Sequence, residues 1–307
     1  MITALAGGTG AAKFLRGLVR LIDEGRLTVV GNTGDDIELW GLRISPDLDT
    51  LTYTLAGLID DTKGWGVRDD SFHCLRAMAT LGQETWFSLG DRDLATHLVR
   101  TESLQRGLTP SAVTEQIRRA FGVRSRILPM SDQPVRTRIR SPAGWLTFQE
   151  FFVREKGQVE ILDIVYEGAE AARPAPGVIE AIQEARAVVI CPSNPVTSIG
   201  PILAVPGVVE ALKETPAQVV AISPIVAGAA VSGPAGALMA ARGLPVSAAG
   251  VARAYRNWLD VMVVDYRDRG LTDELQGLGV SPVPADTLMT DRQREVALAR
   301  VVLEAVG

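Results

Sequence analysis

Short apolar runs recur along this chain with helical segments between them, and that alternation restricts it to an α/β sheet. Ile2–Leu5 is the first run and Leu27–Gly31 (LTVVG) the second. Ala187–Cys191 (AVVIC), Gln218–Ile222 (QVVAI) and Val261–Val264 (VMVV) repeat the pattern late in the chain. Strands without a polar face are those of a parallel sheet covered by helices on both sides. Between the first two runs, Phe14, Leu18, Leu21 and Ile22 fall on one helical face. Strand, helix and strand in that order predict a right-handed parallel unit. Thr109-Pro110, with Gly122 downstream, predicts a helix with a cap, a first-turn proline and a terminal glycine. From Val135 to Tyr166 apolar and polar residues alternate around a Ser-Pro-Ala-Gly turn. That segment predicts a small antiparallel or mixed β insertion. The length of 307 residues suits one large α/β domain, or one domain with a sizeable insertion.

The balance of charge narrows the partners. Lys and Arg number 31 against 36 Asp and Glu, a net charge of −5. Nucleic acid is therefore not expected, because phosphate backbones need clustered basic residues. A phosphorylated substrate would need local help from a cation, an arginine or a helix N-terminus. Cys74 and Cys191 are two distant thiols, which read as reduced residues of a cytosolic protein. Met1–Leu5 is too short for a signal peptide before the glycines begin. Thr215–Ala241 carries no charge, but its three prolines and three glycines break it up. It predicts a buried strand at Gln218–Ile222, a loop and a short helix, and no membrane span.

The loop after the first strand reads Leu5-Ala-Gly-Gly-Thr-Gly-Ala-Ala-Lys13. Its backbone N–H groups and the helix that follows suit an anion, and Lys13 adds positive charge. A dinucleotide fingerprint needs a third glycine, where Lys13 stands, and an acid after the second strand, where Asn32 stands. No Gly-Lys-Ser/Thr follows, so the loop is not a Walker motif.

Ten of the 19 aspartates lie between Asp35 and Asp93. Asp60, Asp61, Asp69 and Asp70 sit beside glycines and a helix start, where Asp caps turns. The others have more constrained settings. Asp35 and Asp36 follow the second strand in GNTGDD, at the carboxyl end where open α/β sheets bind ligands. Asp47 and Asp49 precede an apolar helix in ISPDLDT, and LGDRD sets Arg92 between Asp91 and Asp93. Mg²⁺ is held by one or two carboxylates, waters and substrate phosphates. A phosphate loop near several aspartates is the combination that phosphoryl transfer uses.

Other machinery is missing. His73 and His97 are the only histidines, which excludes a multi-histidine zinc site. Both fall in helical patterns and read as surface or satisfied core residues. Arg136, Arg138 and Arg140 share one face of a strand. They read as a solvated or salt-bridged edge, with a phosphate role left open.

These residues, taken together, resemble a known family. GGTGAAK, VVGNTGDD, GLRISPDLDT, GDRDLATHLVRT, LPMSDQPVRT, FQEFFV, ARPAPGV, ICPSNPVTSIGPIL, ISPIVAG and ADTLMT, in this order across nearly the whole chain, are similar to the 2-phospho-L-lactate transferases of coenzyme F-420 biosynthesis. The resemblance implies a Rossmann-like, mostly parallel sheet with helices on both faces. The core would be about 1–60 and 175–307, with an inserted helical/β part at about 61–174. It implies transfer of a phospho-acid from its guanosine diphosphate-activated form to the deazaflavin alcohol Fo, with release of GMP and a requirement for Mg²⁺. By matching motifs, Asp49 and Arg92 would contact Fo. Gly7, Gly8, Thr9, Gly10, Lys13, Ser193 and Asn194 would hold the guanosine diphosphate part. Asp35, Asp36 and Asp49 are the candidates for catalysis, and Asp35, Asp47 and Asp49 for metal. A cytoplasmic homodimer is implied as well. Ala11 and Ala12 depart from the glycine or proline of many relatives, and neither indicates which acid is carried.

Two other readings are distinct in class. A nucleotide- or sugar-nucleotide-binding regulator of the gluconeogenesis-factor type shares the glycine loop and fold, but lacks ISPDLDT and GDRD. An NAD(P) oxidoreductase is disfavoured by Lys13 and Asn32. GMP release separates the transferase from both.

Overall fold

The structure is a computed structural model describing residues 1–307. Its centre is a seven-stranded parallel sheet. In chain order the strands are β1 (Ile2–Ala6), β2 (Leu27–Gly31), β3 (Arg126–Pro129), β4 (Ala187–Ile190), β5 (Gln218–Ile222), β6 (Val261–Asp265) and β7 (Ser281–Ala285). In space they run β7-β6-β5-β4-β1-β2-β3. All six pairings are parallel. Chain order reverses between β1 and β4, the switch point at which Rossmann-like sheets bind nucleotides.

Alternate residues of the strands feed two separate cores. Leu5, Val30, Val188, Ile190, Val219 and Met262 point to one face, where 41 buried residues cluster. Ala4, Ala6, Val29, Val189, Val220 and Val263 point to the other, among 23. This is why the strands read as unbroken apolar runs: each has a core on both sides.

Helix α1 (Gly8–Leu18) starts directly at the glycine loop and buries Phe14, Leu15 and Leu18. It packs against the C-terminal helix Arg292–Ala305. A Cβ on Gly17 would overlap the Glu295 carbonyl, so only glycine permits that approach. Helix α2 (Pro46–Leu55) follows a short hairpin, Ile37–Leu39 with Leu42–Ile44. Helix α3 (Asp91–Gln105) lies across that hairpin. The helix expected after Thr109 spans Pro110–Ala120, with Thr109 Oγ1 accepting from the Ala112 amide. The alternating segment forms a three-stranded antiparallel sheet, Gly144–Thr147, Arg136–Ser141 and Asp163–Glu167. Between its second and third strands in the chain, Glu150–Arg154 form a single π-helical turn.

Strand β3 is an edge strand of the core, yet it lies inside the span 61–174 read as an insertion. Only Ile127 and Leu128 are apolar between Arg126 and Pro129, too short a run to stand out. Thr215–Ala241 contains β5, a small hairpin (Ile225–Val226 with Ala229–Ala230) and the short helix Ala235–Ala241. No helix of the chain is long and apolar enough to cross a membrane.

Candidate active site

The carboxyl ends of β1, β2, β4, β5 and the segment after β7 open into one cavity of about 690 Å³. The glycine loop forms its floor. Gly7 follows β1 in an extended conformation and caps α1, which Gly8 begins at φ +72°. A Cβ on Gly7 would overlap Asp47, and one on Gly10 would overlap the Pro192 carbonyl. A Cβ on Gly8 would touch only Ser198 Oγ, without overlap, and the position needs glycine for its backbone angle instead. The first four amides of a helix have no partner within it. The Gly8 amide donates to Asp47 Oδ1 at 2.9 Å. Thr9, Gly10 and Lys13 line the cavity beside it.

Ser193 and Asn194 come from the turn after β4 and also line the cavity. Ser193 Oγ donates to the Gly7 carbonyl at 2.8 Å, tying this turn to the glycine loop. Asn194 Oδ1 accepts from the Val196 amide at 2.9 Å and shapes its own turn. Asn32, read as the residue that replaces a ribose-binding acid, holds three segments together. Its Nδ2 donates to Asp47 Oδ2 (2.9 Å) and the Thr197 carbonyl (3.1 Å), and its Oδ1 accepts from the Gly34 amide (2.8 Å).

The four leading aspartates are not equivalent. Asp35 is buried at the cavity wall, and its Oδ1 has no hydrogen-bond partner. Burial first, and the charge of Asp47 second, raise its carboxyl well above the usual range. Burial likewise pushes Asp47 up to about 6, opposed by its bonds from Asn32 and Gly8. Asp36 turns away from this cavity. It lines a second one of about 260 Å³, accepts from Ser45 Oγ at 2.9 Å, and is pushed up to about 7 by burial. Asp49 lines the main cavity but both its oxygens are taken by Arg100, with Nη1 donating to Oδ2 at 3.0 Å and Nη2 to Oδ1. The structure thus brings Asp35 and Asp47 together and draws Asp49 out of the expected metal set. No three Asp, Glu, His or Cys side chains converge in a metal-binding arrangement.

Arg92 is exposed on the first turn of α3. Its Nη1 donates to the Arg68 carbonyl at 3.1 Å, and its side chain is not part of the cavity lining. The acids around it are reciprocal helix caps. Asp70 accepts from the Arg92 and Asp93 amides, and Asp91 accepts from the His73 and Cys74 amides. The Ser71 hydroxyl, which also donates to Asp91, and then those two amides hold Asp91 down to about 2.

Several lining residues were not legible as functional. Asp93 accepts from Tyr53 Oη at 2.8 Å and lies 3.3 Å from His97 Nε2. His97, expected on a surface or in a satisfied core, is 1% exposed between Asp49 and Asp93. Phe87, Phe148 and Phe152 give the cavity an aromatic wall, with Phe148 and Phe152 stacked at 5.5 Å. The π-helical turn carries Phe152 and Val153 there. Trp65 and Lys63 come from the loop between α2 and the helix His73–Thr80, with the Lys63 ammonium 5.5 Å from the Trp65 ring centre. A flat aromatic molecule and an anion can therefore share this space.

The model of the CofD family, 2-phospho-L-lactate transferase, matches residues 2–303. The chain belongs to this family. A Methanococcoides burtonii protein named 2-phospho-L-lactate transferase is 42% identical over 97% of this chain and 97% of its own length. A Streptomyces griseus protein named phosphoenolpyruvate transferase is 46% identical over 99% and 97%. A solved structure from Bacillus halodurans, described as a member of the upf0052 family, covers 98% of both chains at TM-score 0.64 and 17% identity. That likeness shows the fold alone. Family membership favours the transferase over a binding module or an oxidoreductase.

Proposed function

We propose that this chain transfers 2-phospho-L-lactate or phosphoenolpyruvate from its guanosine diphosphate-activated form to the ribityl hydroxyl of Fo (7,8-didemethyl-8-hydroxy-5-deazariboflavin). GMP is released and the product belongs to coenzyme F-420 biosynthesis. The observation that carries this reading is the single cavity in which the glycine loop, two buried carboxylates and an aromatic wall face one another. The loop and the Ser193–Asn194 turn suit the guanosine diphosphate part, and Phe87, Phe148 and Phe152 suit the deazaflavin ring. The relatives carry both acid names at similar identity, so they support either acid.

Charge supports a divalent cation. The lining holds Asp35, Asp47, Asp49 and Asp93 against only Lys13 and Lys63. A diphosphate entering that field needs further neutralisation. The unpartnered buried Asp35 Oδ1 and the neighbouring Asp47 fit Mg²⁺, which takes two carboxylates together with substrate phosphates. When bound, Mg²⁺ would neutralise charge on both phosphates.

The hydroxyl oxygen of Fo forms a bond to the phosphorus bearing the acid, and the bond from that phosphorus to the GMP oxygen breaks. The loop amides and Lys13 face the charge that gathers on the departing GMP, which favours the transition state over the bound donor. Asp49, fixed by Arg100, accepts a hydrogen bond from the attacking hydroxyl and orients it. The hydroxyl proton passes to Asp49 as the new oxygen–phosphorus bond forms, and from there to solvent. Arg92 would reach Fo only by leaving the Arg68 carbonyl. The homodimer belongs to the same reading, and exposed Leu98 and Val99 on α3 offer an apolar face for it.

The test is stoichiometric. Purified protein, Fo, Mg²⁺ and each guanylated acid should give one GMP per Fo consumed, with a phosphodiester-linked deazaflavin as product. Turnover with one acid alone assigns the donor. No GMP from either acid overturns the reading.

A further inference from the structure

We infer that His97 is a positioning residue that holds Arg100, and through it Asp49, in the geometry the acceptor hydroxyl requires. The inference rests on the reading of Asp49 as the carboxylate that orients that hydroxyl. Its own basis is a buried chain of contacts. Tyr53 Oη donates to Asp93 Oδ1, and His97 Nε2 lies 3.3 Å from that same oxygen. At the other edge of the ring, Arg100 Nη1 lies 3.0 Å from His97 Nδ1 and also donates to Asp49 Oδ2. All five residues are less than a tenth exposed.

The direction of each bond follows from the donor inventory. Arginine has no acceptor and keeps its proton, so His97 Nδ1 must accept from Nη1. The ring proton therefore sits on Nε2, on the Asp93 side of the ring, where Nε2 itself has no hydrogen-bond partner and the Tyr53 hydroxyl bonds the Asp93 carboxylate. A second proton on Nδ1 would point at the guanidinium. The acceptor role of Nδ1 fixes the tautomer. Arg100 Nη1 then has one hydrogen for Asp49 and one for His97, which leaves the guanidinium little rotational freedom. Because hydrogen bonds to a charged group are the strong ones, loss of the Nδ1 acceptor frees a buried guanidinium to tilt. His97 lines the cavity but is assigned no contact with substrate.

The chain has only His73 and His97, which makes the test direct. In ¹⁵N NMR of the full-length protein, with His73→Gln to assign the signals, His97 should show an unprotonated Nδ1 and a protonated Nε2. A doubly protonated ring, or a proton on Nδ1, overturns the inference. Turnover is then read with Fo and both guanylated acids. His97→Asn keeps an acceptor near the Nδ1 position and should stay within about threefold of wild type, whereas His97→Leu should lose about tenfold or more in kcat with donor KM unchanged. A folded His97→Leu protein with full kcat overturns the inference. So does equal loss in both variants together with weakened GDP binding, which would make His97 merely structural. If His97→Leu does not fold, the Asn variant and the NMR spectrum decide. If wild type turns over neither acid, the functional reading fails, and the NMR result still decides the His97 assignment.

Discussion

Asn32 Nδ2 donates a 2.9 Å hydrogen bond to Asp47 Oδ2, joining the end of β2 to the first turn of α2 under the glycine loop. The same side chain bonds the Thr197 carbonyl and the Gly34 amide, so one buried amide sets the relative position of three site segments. Asn32→Ala leaves these groups unpaired in the interior. We expect a loss of roughly 1–3 kcal/mol in urea unfolding, with a larger fractional fall in kcat than in folded population. Unchanged kcat in Asn32→Ala would show that Asp47 needs no such anchor.

Stability should fall with pH across the weakly acid range. Asp47 titrates at about 6 and Asp36 at about 7, both raised chiefly by burial from 3.8. The folded chain therefore binds these protons more tightly than the unfolded chain. The resulting stabilisation is complete below about pH 4 and is lost as pH rises through 6 and then 7. Asp36→Asn removes one of the two contributions, and Asp36 faces the smaller cavity rather than the main one. Urea unfolding at pH 5 and pH 8 should show a shallower decline in the variant, which gains on the order of 1–2 kcal/mol over wild type at pH 8. An equal decline in both proteins contradicts the assignment.

The sheet was legible because its strands are buried on both faces, and no surface stripe confuses the pattern in Leu27–Gly31 or Gln218–Ile222. The edge strand β3 was not, since Arg126 is exposed and Pro129 closes the run after two apolar residues. The glycine loop and the GDD and PDLDT acids were legible as one locality. Their division of labour was not, because it depends on partners distant in sequence. Asp49 is occupied by Arg100, 51 residues away, and Asp36 by a turn of backbone that points it through the wall. His97 carries no sequence signal for its role: a lone histidine in a helix gains meaning only when Asp49 and Asp93 are found on either side of it.

Arg92 tests the carry-over from family motifs to this chain. Its guanidinium donates to the Arg68 carbonyl and its neighbours are helix caps, which gives it a structural role already. If it also meets the acceptor, Arg92→Ala should raise KM for Fo severalfold while GDP affinity stays constant, as expected for loss of one charge-assisted contact. An unchanged KM for Fo, with faster proteolysis of the 60–70 loop, would leave Arg92 only its structural role.

The metal site predicts a change in stability as well as activity. Burial raises the cost of ionising both Asp35 and Asp47, and the charge of Asp47 adds to that cost at Asp35. A divalent cation that binds the folded chain there should raise the melting temperature with increasing Mg²⁺ at pH 8, by mass action. EDTA should abolish GMP release. Asp35→Asn should abolish both the activity and the Mg²⁺-dependent rise while melting no lower than wild type without metal, since it removes a buried charge. Full activity in EDTA, or the same rise in Asp35→Asn, would sink the assignment.

The glycine loop separates close approach from backbone strain. A Cβ on Gly10 would overlap the Pro192 carbonyl, a backbone atom of the turn that carries Ser193 and Asn194. Neither segment can yield easily, because Ser193 Oγ is bonded to the Gly7 carbonyl. A Cβ on Gly8 would meet only Ser198 Oγ, at 4.0 Å and without overlap, but the Gly8 φ of +72° lies in the left-handed region. Gly8→Ala should therefore cost about 1–2 kcal/mol of stability from backbone strain, with the cavity shape preserved. Gly10→Ala should push the β4 turn away from α1 and weaken GDP binding at least tenfold, through loss of about 1.4 kcal/mol or more of loop contacts. Calorimetric titration with GDP ranks the two variants. If Gly8→Ala loses GDP affinity and Gly10→Ala keeps it, the loop holds its anion through the Gly8 amide itself, and the Asp47 bond to that amide must break when the donor binds.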